Sequence, residues 1–460
     1  MSLTALQTTG PPFAVPSFAP MHGLGGAKDL PIPLALAVTS GTAALVASFC
    51  ILALAWRTPR YHDLRSGRPA PVLLAGLVDS EAFQWAIRVL GLVFFGYVAW
   101  ALIWGPDLIN NPALGTFYVL VWVGLVPASL FLGPVVRAAG PVRTLNLLLA
   151  RITGGDPAAG LVAYPARLGY WPAAVGLFAF VWQELVNPQS AYLGSVRIWL
   201  AVYLTVMLIG GAVFGDVWFE RADPFEVYSN LVAKLSVWGR DTGGGLVVRS
   251  PLANLSTITP LPGLLAVVAV LFGSTAFDNY KDTITWLNFV RDLELDETLT
   301  NSAALLVFCV AVAGSFTLAA MSTGLERTGP RTVRRSALPD LLAHSVVPII
   351  VGYVVAHYLT YLVEQGQVTI LQLSDPMIRG DNLLGTANWS VNYWLSFHPT
   401  LIAVLKVLAV VTGHVLGVIA AHDRAIKLLA PRHHVVGQIG MLVVMVAYTS
   451  TGLYLLMGGF

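Results

Sequence analysis

Charge is what this sequence has least of. Only 11% of its 460 residues are Asp, Glu, Lys or Arg, against 56% hydrophobic residues and a mean hydropathy of +0.72. Soluble domains carry about 25% charged residues, so a water-soluble globule is excluded. Cysteine is nearly absent. Cys50 and Cys309 both fall inside apolar runs, where they offer no loop disulfide and no guide to redox compartment. The first 33 residues lack a basic start and an early apolar run, so they are no ordinary signal peptide. They form a Pro- and Gly-rich tail. Metal-protease spacing of the HExxH kind is missing, as are a Walker A loop, a GxGxxG in a βαβ setting and a GxSxG elbow.

What is present is a series of apolar runs of about 20 residues, the length that crosses a ~30 Å hydrocarbon core as helix. They do not alternate apolar with polar residues, as strands of a closed barrel do. The expected class is all-α: a polytopic transmembrane helical bundle, with 34–460 as a single membrane domain behind the 1–33 tail. Ten spans are expected, near 34–56, 83–104, 114–136, 170–187, 198–215, 261–278, 299–321, 341–364, 400–421 and 436–457.

Loop charge gives an independent check through the positive-inside rule. The odd-numbered connections hold nineteen of the 26 Lys and Arg residues, from Arg57, Arg60, Arg65 and Arg68 in the first to Arg424, Lys427 and Arg432 in the ninth. The alternate segments hold five: Lys28, Arg197, Lys281, Arg291 and Arg379. Both termini are therefore expected outside, with the membrane a bacterial cytoplasmic membrane. Basic residues distributed in this way are explained by topology and imply no nucleic-acid partner. The partners expected are the lipid bilayer and a small molecule or ion; the oligomeric state is left open.

Two inner connections, "RAAGPVRTLNLLLAR" from Arg137 and "RADPFEVYSNLVAK" from Arg221, share Pro, Leu and a basic residue in register. Each reads as a turn followed by a short amphipathic helix, begun by Pro and lying on the cytoplasmic surface. The outer connection between spans six and seven is acidic, with Asp278, Asp282, Asp292, Glu294, Asp296 and Glu297. It reads as a solvated segment with room for a short surface helix.

Ionisable groups at membrane depth are costly and face a bundle interior or a water-filled cavity. On span eight, Tyr353, His357, Tyr361 and Glu364 share one helical face at ~100° per residue. Span nine carries His398 at its outer mouth, Lys406 deeper, then His414, with His422 and Asp423 at its inner end. Glu184 and Asp278 fall at the outer ends of their spans, and His22 and Asp29 of the tail lie on the same side. These residues outline an outward-facing polar cavity. His357, Tyr361, Glu364, His398, Lys406, Asp278 and Glu184 are the candidate substrate or ion ligands. A divalent metal held by His357, His398 and Asp278 is the cofactor hypothesis. The competing account is hydrogen bonding across packed helices, at about 0.6–2 kcal/mol each. Lys406 either snorkels outward or needs a carboxylate, with Glu184, Asp278 or Glu364 at comparable depth. Arg88 reads as a snorkelling anchor near the inner face. Gly413, Gly417 and Ala421 form a small-residue ridge for helix packing. Haem is disfavoured: His344 and His357 are 13 residues apart, but His398 and His414 lie about 160° apart around their helix.

The stretches "HGLGGAKDLPIP", "RADPFEVYSNLVAKLSVWGR", "GSTAFDNY", "VVAHYLTYLVEQGQ" and "GHVLGVIAAHDRA", from residue 22 to residue 425, resemble a family of actinobacterial polytopic membrane proteins named fenitrothion hydrolase. The family pattern has Gly after the aspartate where this chain has Asp278-Asn279. The resemblance implies hydrolysis of an organophosphate-like ester by a metal-activated water; it carries over no site residue. Three functions therefore stand open: a permease for a small solute or ion, a membrane-embedded metal-dependent hydrolase, and a non-catalytic assembly or partner subunit.

Overall fold

Apolar runs that cannot hydrogen-bond to lipid must satisfy their backbone internally, and helices do so residue by residue. The computed structural model describes residues 27–61, 67–293, 295–323, 333–429 and 434–458, and these are mostly helical. The elements that position the site are α1 (Leu34–Ala55), α2 (Glu81–Trp104), α3 (Pro112–Val123) and α4 (Leu125–Leu132). They continue with α5 (Pro141–Thr153), α6 (Trp171–Leu185), α7 (Leu193–Phe214) and α8 (Pro224–Ala233). The second half supplies α9 (Leu264–Lys281), α10 (Glu297–Met321), α11 (Val347–Leu373), α12 (Pro399–Leu428) and α13 (Ile439–Leu456).

Among the described residues, seven helices are long and apolar enough to cross a membrane, or eight if α3 and α4, bent by 44° at Gly124, count as one span. The chain is thus a helical membrane protein. The other two expected spans are also helices. α6 has only 15 residues, about 22 Å of rise, and α9 has 18 but ends in the polar "DNYK".

Burial divides the helices into two groups. α2 buries only Ala101 and Leu102 and exposes Leu90 and Val93, each 63% accessible. Such apolar faces on α1, α2, α7 and α10 form the surface offered to lipid. α9 and α11 are central, with both faces covered by neighbouring helices.

The α11–α12 pair forms the main seam. A Cβ at Gly413 would lie 2.6 Å from the Pro348 carbonyl oxygen, and one at Gly417 would lie 2.7 Å from that of Ser345. On α11, a Cβ at Gly352 would meet the Ala409 oxygen at 2.5 Å. Backbone touches backbone along this seam, which only glycine permits. On the far side, Gly452 of α13 leaves the room through which the Tyr353 hydroxyl donates to the Tyr448 carbonyl at 3.1 Å.

The connections sort into two ends. At one, a three-stranded antiparallel sheet joins Arg68–Pro69, Leu246–Val248 and Trp238–Arg240. There Arg143 binds Glu226 at 3.0 Å and Asp216 at 3.1 Å, Asp340 accepts from Leu265 N, and Arg424 donates to Ser256 O. At the other, Asp107 accepts from Leu193 N, Arg197 donates to Leu102 O, and Tyr118 donates to Ser190 O. Ala27 N donates to Met457 O at 3.0 Å, so the two ends of the described chain meet there.

One expected surface helix is not on the surface. α5 is amphipathic and exposes Leu149 and Ile152, but α8 buries nine of its ten residues. Its polar groups are met from within. Asp223 caps it, accepting from Phe225 N at 2.9 Å, Glu226 N at 3.2 Å and the Tyr203 hydroxyl at 3.0 Å. Arg143 neutralises Glu226, so the helix needs no water. The acidic connection between α9 and α10 forms a short helix, Ile284–Asp292, anchored by buried Trp286.

Candidate functional site

Asp278 lies on the last turn of α9, and α11 brings two successive side chains to it. His357 Nε2 is 2.8 Å from Oδ2, and the Tyr358 hydroxyl donates to the same oxygen at 2.7 Å. Adjacent helix positions point about 100° apart, so these two side chains approach the carboxylate from different sides. Lys281, one turn along α9, reaches Oδ1 at 3.4 Å. Asp278, His357 and Tyr358 are all at most 5% accessible. An anion, an imidazole and an ammonium group are thus gathered inside an apolar bundle, each charge offsetting the desolvation of the others.

Around this core lies a wider ring. Glu184 on α6 is half-buried and within electrostatic range of both Asp278 and Lys281; its Oε2 is buried with no hydrogen-bond partner. Tyr361 packs 6.2 Å from the Tyr358 ring and feels Glu184, Asp278 and Tyr118. Tyr118 sits on Thr116–Val123, the π-helical part of α3. Such wide turns are rare and cluster at functional sites. Below the Asp278 site is an internal cavity of about 10 Å³ lined by Trp122, Tyr228, Leu271, Thr275, Ile350, Val354 and Tyr358, among others, a space on the scale of one water.

The remaining candidates go elsewhere. Glu364 is fully buried, but its Oε1 accepts from the backbone and hydroxyl of Ser396, and its Oε2 has no hydrogen-bond partner among the described residues. His398 is exposed, donates to Trp394 O at 2.7 Å and stacks on the Trp394 ring at 4.2 Å. The single face Tyr353–His357–Tyr361–Glu364 therefore meets several different neighbours. Tyr353 meets α13, His357 meets α9 and Glu364 meets the 374–398 connection, while Tyr361 stays partly exposed. Lys406 is buried at 2% accessibility, and the carboxylate acting on it is Asp29 of the tail, not Glu184, Asp278 or Glu364. The α11–α12 seam sends its side chain toward the N-terminal segment. His22 lies outside the described residues.

The metal hypothesis joined His357, His398 and Asp278. Among the described residues no three of His, Cys, Asp or Glu are grouped as metal ligands; His357 and Asp278 meet, whereas His398 is exposed and held by Trp394. The deeper histidines have local partners. His414 Nδ1 donates to Val410 O at 2.9 Å and leaves Nε2 buried without a partner, while His344 Nδ1 donates to Leu341 O at 3.1 Å.

At the C-terminal end of α12, Asp423 Oδ1 accepts from Trp56 Nε1 at 3.2 Å and Arg60 N at 2.6 Å, and Oδ2 accepts from Tyr61 N at 3.3 Å. His422 reaches Trp56 O and Gln438 Oε1, each at 3.1 Å. This pair latches the first connection onto α12.

Sequence reasoning missed Lys281, Tyr358, Ser396 and the role of Asp29. Lys281 was visible as an i+3 neighbour of Asp278, and Tyr358 as the neighbour of His357. Ser396, 32 residues from Glu364, gave no local signal. Compared with protein-family models, curated proteins and solved structures, the chain matches none.

Proposed function

We propose that the chain is a permease for a small solute or ion, with the Asp278–His357–Lys281 group as its ion-binding station. The observation that carries this is a group of three mutually compensating ionisable side chains, Asp278 and His357 buried and Lys281 partly exposed, at the end of a central helix of the bundle; ionisable groups at such depth mark ion and proton pathways. A structural role alone would be met more cheaply by apolar residues of similar volume. Half-buried Glu184 offers an approach, and a small, mainly apolar cavity lies beneath Tyr358. The closed packing corresponds to an occluded state, from which one bundle half must move to admit solute.

The same proposal takes the chain across a bacterial cytoplasmic membrane ten times, both termini outside. The alternation of basic connections supports this. So does the contact pattern: the odd connections pair with one another at one end, while the even ones and the termini meet at the other. Membership of the actinobacterial family that the sequence resembles is part of the proposal too, without its hydrolytic name.

Proteoliposomes loaded with a panel of small anions, cations and zwitterions test the function. Saturable uptake by the native chain, reduced at least tenfold in His357→Ala, is the expected result. Equal leak in native, His357→Ala and empty liposomes across the panel would remove it.

A further inference from the structure

The basic residues near the proposed inner membrane surface are not equivalent. Arg137 is paired with Glu220 at 2.7 Å, and Arg143 with Glu226 and Asp216. Arg88 on α2 and Arg151 on α5 have no carboxylate among the described residues. Instead both converge on one indole: Arg151 Cζ lies 4.6 Å from the Trp85 ring centroid and Arg88 Cζ lies 5.4 Å from it. Both guanidiniums thus stand against one indole as positive charges with no carboxylate among the described residues to neutralise them, a setting that favours an added anion. Asp79, Glu81 and Asp156 lie nearby in the sequence, but among the described residues none forms an ion pair with either guanidinium, Asp79 being held by Arg240 at 2.6 Å.

The local fold fixes this arrangement. A Cβ at Gly91 would lie 2.0 Å from Ala139 O, so α2 touches the chain just before α5 begins. α5 then runs beside the first turns of α2 and delivers Arg151 over Trp85. The surroundings are apolar and open: Val89 and Leu149 are each 50% accessible and Ile152 82%. Trp85 is half-buried, an interfacial position typical of indole.

From this geometry we infer that Arg88, Arg151 and Trp85 form a binding site for the phosphate of an anionic phospholipid. The two guanidiniums would donate to the phosphate oxygens, and the acyl chains would lie along Val89, Leu149 and Ile152. Free phosphate shares the headgroup chemistry but not the apolar flank, and the flank favours the lipid. The site rests on the chain's lying in a bilayer and is independent of transport.

Native mass spectrometry of the detergent-purified protein tests it, with phosphatidylglycerol and phosphatidylcholine added in parallel. The expected result is a retained phosphatidylglycerol adduct, weakened about 30-fold in Arg88→Gln/Arg151→Gln, from about 1 kcal/mol for each basic residue. Arg137→Gln, which breaks a paired arginine, should retain the adduct. Arg88→Lys/Arg151→Lys should recover part of it, since charge is kept and the planar fork is lost. Equal phosphatidylglycerol retention in the double Gln variant would overturn the inference, as would equal retention of phosphatidylcholine. Displacement of the lipid by millimolar inorganic phosphate would reassign the site to the free anion. Monodispersity and unfolding temperature of each variant separate lost binding from lost folding.

Discussion

Two buried aspartates, Asp278 at one end of the bundle and Asp423 at the other, are almost equally hidden, at 4% and 3% accessibility. Their partners differ in kind. Asp423 receives two backbone N–H groups and an indole N–H, none of which titrates. Asp278 meets an imidazole, a phenol and an ammonium group. A carboxylate met by backbone amides is a fixed fastener. A carboxylate met by titratable side chains can exchange a proton or an ion with them. Burial alone would have ranked the two as equals; the chemistry of the donors separates them.

The contrast is broken most severely at Asp278. Asp278→Ala strands Lys281 and His357 without their anion and should cost about 3–5 kcal/mol, visible as a lower unfolding temperature in detergent together with lost uptake. Gly413→Val comes next. Its side chain must push the Pro348 carbonyl away and so move α11 from α12, at about 1–3 kcal/mol or more. Because His357 rides on α11 and Asp423 on α12, this variant should impair uptake while the Asp423 latch persists. Protection of the Arg60 and Tyr61 amides in hydrogen exchange reads that latch directly. Asp423→Ala should cost about 1–3 kcal/mol through its orphaned donors, expose those two amides, and leave residual uptake in the protein that remains folded.

Asp223 gives an intermediate case and the smallest effect. It accepts from two backbone amides and also from the Tyr203 hydroxyl. Burial, followed by the nearby charge of Glu226, pushes its carboxyl up to about 7. The folded chain therefore holds this proton more tightly than the unfolded one, whose value is about 3.9. The stability it contributes is complete below about pH 4 and is lost as pH rises through about 7. Asp223→Asn should flatten the fall in unfolding temperature between about pH 4 and 7. An unchanged slope would place the titration elsewhere.

Much of the fold was legible because its physics is local. Runs of apolar residues become helices whether or not their neighbours are known, and Pro141 and Pro224 marked their helix starts. The burial of α8 was not legible, because its amphipathic pattern is the same beside lipid as beside another helix. At the site, depth along the chain brought Asp278 and His357 to the same level, and they do meet. Depth says nothing of rotation, however. His398 and Glu364 share that level and turn to Trp394 and Ser396 instead. Lys406 was read as needing a carboxylate, but the group acting on it comes from the tail, 377 residues earlier. Long-range pairs of this kind carry no spacing that a single sequence can display.

The most direct test of the Asp278 station is proton movement. Proteoliposomes enclosing a pH-sensitive dye should show solute-driven internal pH change with the native chain and with Asp423→Asn. Asp278→Asn, similar in shape, should show none in preparations whose unfolding temperature and monodispersity show the protein to be folded. Identical traces from native and Asp278→Asn protein would contradict the assignment of Asp278.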